Sequence, residues 1–218
     1  MSPPKAPNLW LAEALWDLGA IQFGDFTLGR TTLHSPIYIN LRLLIAYPLA
    51  LRRAGRVIRD EVRTLQSMLH PPIAPFELVA GIPFGGLHLA TAYSLLTSTP
   101  LVYRHPTKSG DHGEKVIEGR YQEGQRALVI DDLCTSGTSL LETAEELGQA
   151  GLKVRDMVVL IDRQEGARER LRRHGYHLIS ILGLETILNY LMARGHIDEE
   201  WYRRCIDYMQ SRRPAPEA

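Results

Sequence analysis

Apolar residues recur at helical spacing from the start of the chain. Leu9, Leu11, Ala12, Leu15, Trp16 and Leu18 form one stripe, with Asn8 able to cap it and Gly19 to stop it. Residues 1–7 are Pro-rich and read as a loose start. Two short runs, Ile21–Leu28 and Pro36–Leu43, predict strands around a polar turn at Gly29–Ser35. Pro48 suits the first turn of a long helix reaching about Met68, and the segment Leu69–Pro75 breaks it. Beyond that break, short apolar runs alternate with helical stripes. Strands are predicted at Phe76–Ala80, Leu101–Tyr103, Ala127–Ile130, Val154–Ile161 and Tyr176–Leu182. Helices are predicted at Leu87–Leu96, Thr138–Ala150 and Glu165–His174, with more over about 183–211 and a frayed end. Residues 104–121 are densely charged and show no period.

This alternation predicts an α/β fold, a central, mainly parallel sheet flanked by helices on both faces. One domain spanning 1–218, with a small N-terminal unit over about 8–43, fits the length. Sheets of this kind bind ligands at the carboxyl ends of their strands. The loops of interest are therefore Gly81–Gly86, Arg104–Tyr121, Asp131–Ser139 and Asp162–Gly166.

Composition narrows the class. The 25 basic and 25 acidic side chains balance to zero formal charge, so no long-range pull toward nucleic acid or anionic membrane is expected. No stretch approaches the roughly 18–20 apolar residues of a membrane span, and the N-terminus does not read as a secretory signal. The two cysteines, Cys134 and Cys205, fit no metal-ligand spacing and predict free thiols in a reducing cytoplasm.

The chemistry concentrates in Leu128–Ser139, LVIDDLCTSGTS. An apolar strand ends in two acids, and a small hydroxyl-rich loop then opens a helix. Backbone N–H groups and a helix N-terminus converge there on a point that suits a phosphate dianion. Thr135, Ser136, Thr138 and Ser139 add hydroxyls, and Gly137 lets the backbone turn. Carboxylates beside a phosphate need other partners. Ribose hydroxyls are good donors to Asp131 and Asp132, so a ribose 5-phosphate unit satisfies both halves. The plainer alternative is a capped helix after a buried strand, with both acids solvated. No glycine-lysine-serine/threonine run supports a Walker-type loop.

The segment resembles the phosphoribosyl diphosphate (PRPP) signature of the type I phosphoribosyltransferases. The resemblance implies that Asp131 and Asp132 contact the ribose hydroxyls. It also implies that Leu133, Cys134 and Thr135–Ser139 complete the PRPP site around the 5′-phosphate. Three further segments resemble the orotate phosphoribosyltransferases, in the family's order. Phe23–Leu28 with Ser35–Arg42 is similar to the N-terminal hood. Lys108, Asp111–Gly113 and Ile117–Gly119 are similar to the mobile catalytic loop, over about 104–119. Leu160–Gly166 is similar to the orotate-facing strand end.

The reaction implied is orotate plus PRPP giving orotidine 5′-phosphate and diphosphate, in pyrimidine synthesis. Lys108, Arg104 and His112 are then the catalytic cations on the leaving group. Arg163, Thr135, Arg30 and Tyr38 are the orotate-binding candidates. Arg163 offers a planar fork for carboxylate or carbonyl oxygens, with a surface ion pair to Asp162 or Glu165 as the alternative. Phe26 and Tyr38 face the same choice between base and core. Mg²⁺ is implied through diphosphate and ribose hydroxyls, with no direct protein ligand. A homodimer with shared active sites is implied as well.

The pattern departs from the family in its cations. His105 follows Arg104 where a lysine is usual, and two extra residues precede His112. Gly85 stands where many bacterial members carry a lysine. Gly29-Arg30 replaces a Lys-Ser-type pair, and Arg30 is expected to restore that charge. These changes keep two other readings open: transfer to a different base, and a non-catalytic regulator that senses PRPP or nucleotide. No DNA-binding helix pair or basic arm favours the regulator. The chain is also too short for the decarboxylase domain fused to this enzyme in animals, so decarboxylation is not expected.

Overall fold

The computed structural model describes residues 8–28, 32–105 and 116–212. The chain opens with α1 (Leu9–Asp17), which Gly19 ends with a positive φ of 63°. An antiparallel hairpin follows, β1 (Ile21–Leu28) and β2 (Thr32–Ile39). A 3-10 turn (Leu41–Ala46) leads into α2 (Pro48–Gln66). The six-stranded sheet is built from β3 (Leu78–Gly81), β4 (Leu101–Arg104), β5 (Ile117–Glu118), β6 (Arg126–Cys134), β7 (Lys153–Asp162) and β8 (His177–Gly183). Its order is β5-β4-β3-β6-β7-β8, parallel throughout except that β5 runs antiparallel to β4. The connecting helices are α3 (Gly85–Thr97), α4 (Thr138–Gln149) and α5 (Ala167–Arg173), and α6 (Leu184–Ala193) and α7 (Glu199–Arg212) follow β8.

Alternation along the buried strands divides the interior. Leu128, Ile130, Val158 and Leu160 join α1, α2, α3, α6 and α7 in one core. Ala127, Val129, Met157 and Val159 face α4 and α5 in the other. Both faces are covered, which is why these strands read as continuous apolar runs. The chain order turns back between β3 and β6. Their following helices lie on opposite faces, so a crevice opens at their carboxyl ends, where such sheets place ligands.

Three expectations are corrected. β2 covers Thr32–Ile39, not Pro36–Leu43, because it pairs with β1 from Leu28↔Thr32 to Ile21↔Ile39. After Ile39 the Asn40 N–H turns to Ala20 O at 2.8 Å and the chain coils. β6 runs on through Cys134, since β7 continues beside it and pairs Asp131 with Val159 and Leu133 with Ile161. The two acids thus lie inside the strand, not after it. The charged stretch 104–121 also contributes β5, paired with β4 through Tyr103↔Glu118. Among the described residues, no helix is long and apolar enough to cross a membrane.

Candidate active site

The acid pair sits at the mouth of the β3/β6 crevice. Asp131 Oδ1 accepts the N–H of Asp132 at 2.8 Å, and Asp132 Oδ1 accepts that of Leu133 at 2.9 Å. The Gly86 N–H also supports the Asp131 carboxyl. Burial pushes Asp131 well above the usual carboxylate range, and the neighbouring Asp132 pushes it further. Burial also raises Asp132, with the bond to Asp131 and the charge of Arg42 opposing. The turn after β3 presses on this pair. A Cβ on Gly85 would collide with the Asp132 carboxylate, and one on Gly86 would stand 2.7 Å from Asp131 Cα. Glycines at both positions let the turn approach the acids this closely.

The loop after β6 starts at Thr135. Gly137 adopts φ 77° and α4 begins at Thr138. Ser136 Oγ and Thr138 Oγ1 are 3.0 Å apart, and Arg170 Nη1 of α5 donates to Thr138 Oγ1 at 2.7 Å. Ser139 is exposed, while Thr135, Ser136 and Thr138 are half-buried. The side chains of Leu133 and Cys134 do not join this loop. Leu133 packs on the first core. The Cys134 thiol is buried 3.6 Å from Asp162 Oδ1, and burial pushes its pKa well up. The Cys134 carbonyl accepts the Arg163 N–H at 3.0 Å.

Arg104 ends β4 with Nε 2.6 Å from Glu146 Oε2 of α4. Both border a cavity of about 420 Å³ that also takes in Pro83, Phe84, Ser139 and Glu142. This cavity connects the β3 turn with the start of α4. The expected cations Lys108, His112 and Arg30 lie outside the described residues. Among the described residues no group of three or more His, Cys, Asp or Glu side chains is placed to hold a metal.

The hairpin closes the other side. Tyr38 OH accepts from Arg42 Nη2 at 3.0 Å, and Arg42 Nε donates to Asn40 Oδ1 at 3.2 Å. The Phe26 and Tyr38 rings lie 5.6 Å apart. Arg163 is not an open fork. It is 2 % exposed, its Nε is 2.7 Å from Glu165 Oε1, and Nη2 donates to Ser35 Oγ at 2.8 Å. Its Nη1 donates to Ile37 O at 3.4 Å. The partner Glu165 was foreseen, but the pair is buried rather than on the surface, because the hairpin covers it. In this arrangement Arg163 ties β7 to β2, and each of its three nitrogens lies against an oxygen.

Sequence reasoning missed Arg42, Glu165 and Arg170 as site residues. Arg42 and Glu165 sit within segments that resemble the family, which was the available signal; Arg42 falls inside the expected strand Pro36–Leu43, and only the end of β2 at Ile39 places it beyond one. Arg170 had none, since one arginine among several on a short helix looks like a solvated face.

Residues 54–181 match the family described as "Phosphoribosyl transferase domain". Among curated proteins, the chain is 36% identical over 189 residues to an orotate phosphoribosyltransferase of Cenarchaeum symbiosum (strain A), covering 85% of this chain and 90% of that one. It is 34% identical over 200 residues to the uridine 5′-monophosphate synthase of Bos taurus, covering 92% of this chain and 40% of the relative. Among solved structures, the UMP synthase of Leishmania donovani superposes with a TM-score of 0.83 at 32% identity, covering 95% of this chain and 43% of that one. The chain thus spans about two fifths of the length of these two synthases.

Proposed function

The chain belongs to the phosphoribosyltransferase family, in its orotate phosphoribosyltransferase branch, and from that premise we propose that it transfers the phosphoribosyl group of PRPP to orotate. The observation that carries the reading is the junction of acid pair and hydroxyl loop at the β3/β6 crevice. One half accepts ribose hydroxyl donors, and the other surrounds a phosphate.

In the proposed reaction the C1′–O bond to diphosphate breaks, and its electron pair leaves on diphosphate. N1 of orotate, having lost its proton, supplies the pair for the new C1′–N1 bond. Positive charge gathers on the ribose ring in between. Asp131 and Asp132 hold the 2′- and 3′-hydroxyls and stand near that charge. Thr135–Ser139 fix the 5′-phosphate and so the position of C1′. Arg104, Lys108 and His112 face the leaving diphosphate, for which Arg104 must exchange Glu146 for the ligand. Tyr38, Thr135 and Arg30 are the proposed orotate contacts, and Arg163 holds the hairpin over the base.

Mg²⁺ fits this donor set only as a substrate-borne ion. Each acid already gives an oxygen to a backbone N–H, which leaves too few protein oxygens for a cage, and Mg²⁺ readily takes phosphate oxygens and water instead. When bound it would neutralise charge on diphosphate. A homodimer is supported by the apolar groove between α2 and α3, about 340 Å³, where Ile45, Leu51, Leu95 and Leu96 meet. The buried, unpaired Cys134 and Cys205 suit a reducing cytoplasm.

The test is consumption of orotate absorbance with PRPP and Mg²⁺, abolished by chelator and restored by Mg²⁺. The commitment of Arg163 favours one second reading, the same donor with another base. Turnover of a different base, with none of orotate, would establish it and overturn the first.

A further inference from the structure

The phosphate loop is braced from a helix outside it. A Cβ on Gly137 would meet Ala167 Cβ and Leu171 Cγ of α5 at 3.4 Å each, so the two elements are in direct contact. From the exposed side of α5, Arg170 Nη1 reaches Thr138 Oγ1 at 2.7 Å, and Thr138 Oγ1 stands 3.0 Å from Ser136 Oγ. Among the described residues, the other α5 arginines are engaged elsewhere. Arg168 donates to Leu178 O and Ser180 Oγ, and Arg172 and Arg173 pair with Glu169.

A guanidinium N–H can only donate. Thr138 Oγ1 must accept from it, so the threonine's own hydrogen has to be given elsewhere. It goes either into the loop or to Ser136 Oγ, which then turns its own hydrogen onward. Both arrangements fix a hydroxyl hydrogen as a donor beside the α4 N-terminus. Without Arg170, one hydrogen can still bridge the two hydroxyls, but the other is free to rotate away from the loop and present a lone pair, which repels an anion.

We infer that Arg170 is a positioning residue for the 5′-phosphate, acting through the Thr138 hydroxyl. This rests on reading Thr135–Ser139 as the phosphate cradle. It adds to that reading a basic side chain, 32 positions from Thr138, that sets the affinity for the phosphorylated substrate and not for the base.

The experiment measures ribose 5-phosphate binding by calorimetry to the whole chain and to R170M, R170K, T138V and R170M/T138V, with KM for PRPP and for orotate. R170M is expected to weaken ribose 5-phosphate about five- to ten-fold and to raise KM for PRPP in parallel, the scale of one charge-assisted hydrogen bond at an exposed site. KM for orotate should hold, R170K should recover part of the loss, and the double variant should bind no worse than T138V. Arg170 is exposed, and unchanged thermal unfolding of R170M and R170K will separate a binding loss from a folding loss. Equal binding by R170M and the parent overturns the inference, as do losses that add in the double variant. Failure of the parent to bind ribose 5-phosphate or PRPP instead overturns the cradle itself.

Discussion

Ser35 Oγ accepts an Nη of Arg163 at 2.8 Å, which joins the hairpin to the end of β7 across 128 positions. Glu165 Oε1 lies 2.7 Å from the Nε of the same guanidinium, and Arg212 Nη2 of α7 donates to Leu33 O at 3.0 Å. The buried charge is thereby held between the end of β7 and the hairpin, and α7 ties the hairpin from the exposed side. Removing one partner leaves the rest uncompensated. S35A should cost about 1–3 kcal/mol, an unsatisfied buried donor, and E165Q about 3–5 kcal/mol, an unpaired buried charge. Thermal unfolding followed by circular dichroism checks both, and E165Q melting with the parent would rule out this role for the pair.

The acid pair predicts a trade of stability for function. Burial raises Asp131 well above the usual carboxylate range, so the folded chain favours its protonated form. Such a group contributes stability that is fully present below its unfolded pKa and is lost as pH rises through the folded one. An amide does not ionise and still accepts the N–H groups of Asp132 and Gly86. D131N should therefore melt higher than the parent at pH 8. The gain should shrink toward acid, while PRPP binding falls. A D131N that is no more stable at pH 8 would contradict the assigned burial cost.

How far the sequence announced these features follows from which forces are local. The apolar runs at Leu78–Gly81 and Met157–Ile161 reveal themselves because both sheet faces are covered. The extension of β6 does not, since Asp131 and Asp132 look like the polar end of a strand. Only the β7 ladder and the Gly86 N–H, both tertiary, keep them within it. Arg163 misled for the same reason. A charged residue just past a strand reads as exposed, and it is the hairpin folding over it that buries it. The loop Thr135–Ser139 was legible because its geometry is written in consecutive residues, but its brace from Arg170 comes from another helix.

Arg104 and Glu146 make a prediction about product. Glu146 holds the cation proposed to face diphosphate at 2.6 Å, on the edge of the cavity between the β3 turn and α4, and Glu142 adds a second acid there. Diphosphate has to compete with that carboxylate. E146Q should release the guanidinium and tighten inhibition by diphosphate about two- to five-fold, the scale of a partly exposed ion pair. R104M should weaken it. Product-inhibition constants measured against PRPP decide the matter, and an unchanged constant in E146Q would place diphosphate elsewhere.

Arg42 leads to a prediction in pH. Its guanidinium donates to Tyr38 OH at 3.0 Å, and its charge bears on Asp132. Burial is the largest influence on Asp132 and pushes its pKa up; Arg42 works against it. An ionised Asp132 accepts a ribose hydroxyl more strongly than a protonated one, so the acidic limb of kcat/KM for PRPP should follow its ionisation. Replacing Arg42 by methionine removes an opposing charge, leaves burial in place, and raises the Asp132 pKa further. The acidic limb should then move to higher pH, and kcat/KM on that limb should fall about two- to five-fold, in keeping with an exposed charge. R42K keeps the charge and should keep the limb, although it loses the fork that spans Tyr38 and Asn40. A pH profile of the parent, R42M and R42K at constant ionic strength separates these effects. A limb that stays in place in R42M would show that Asp132 is not the group that titrates there.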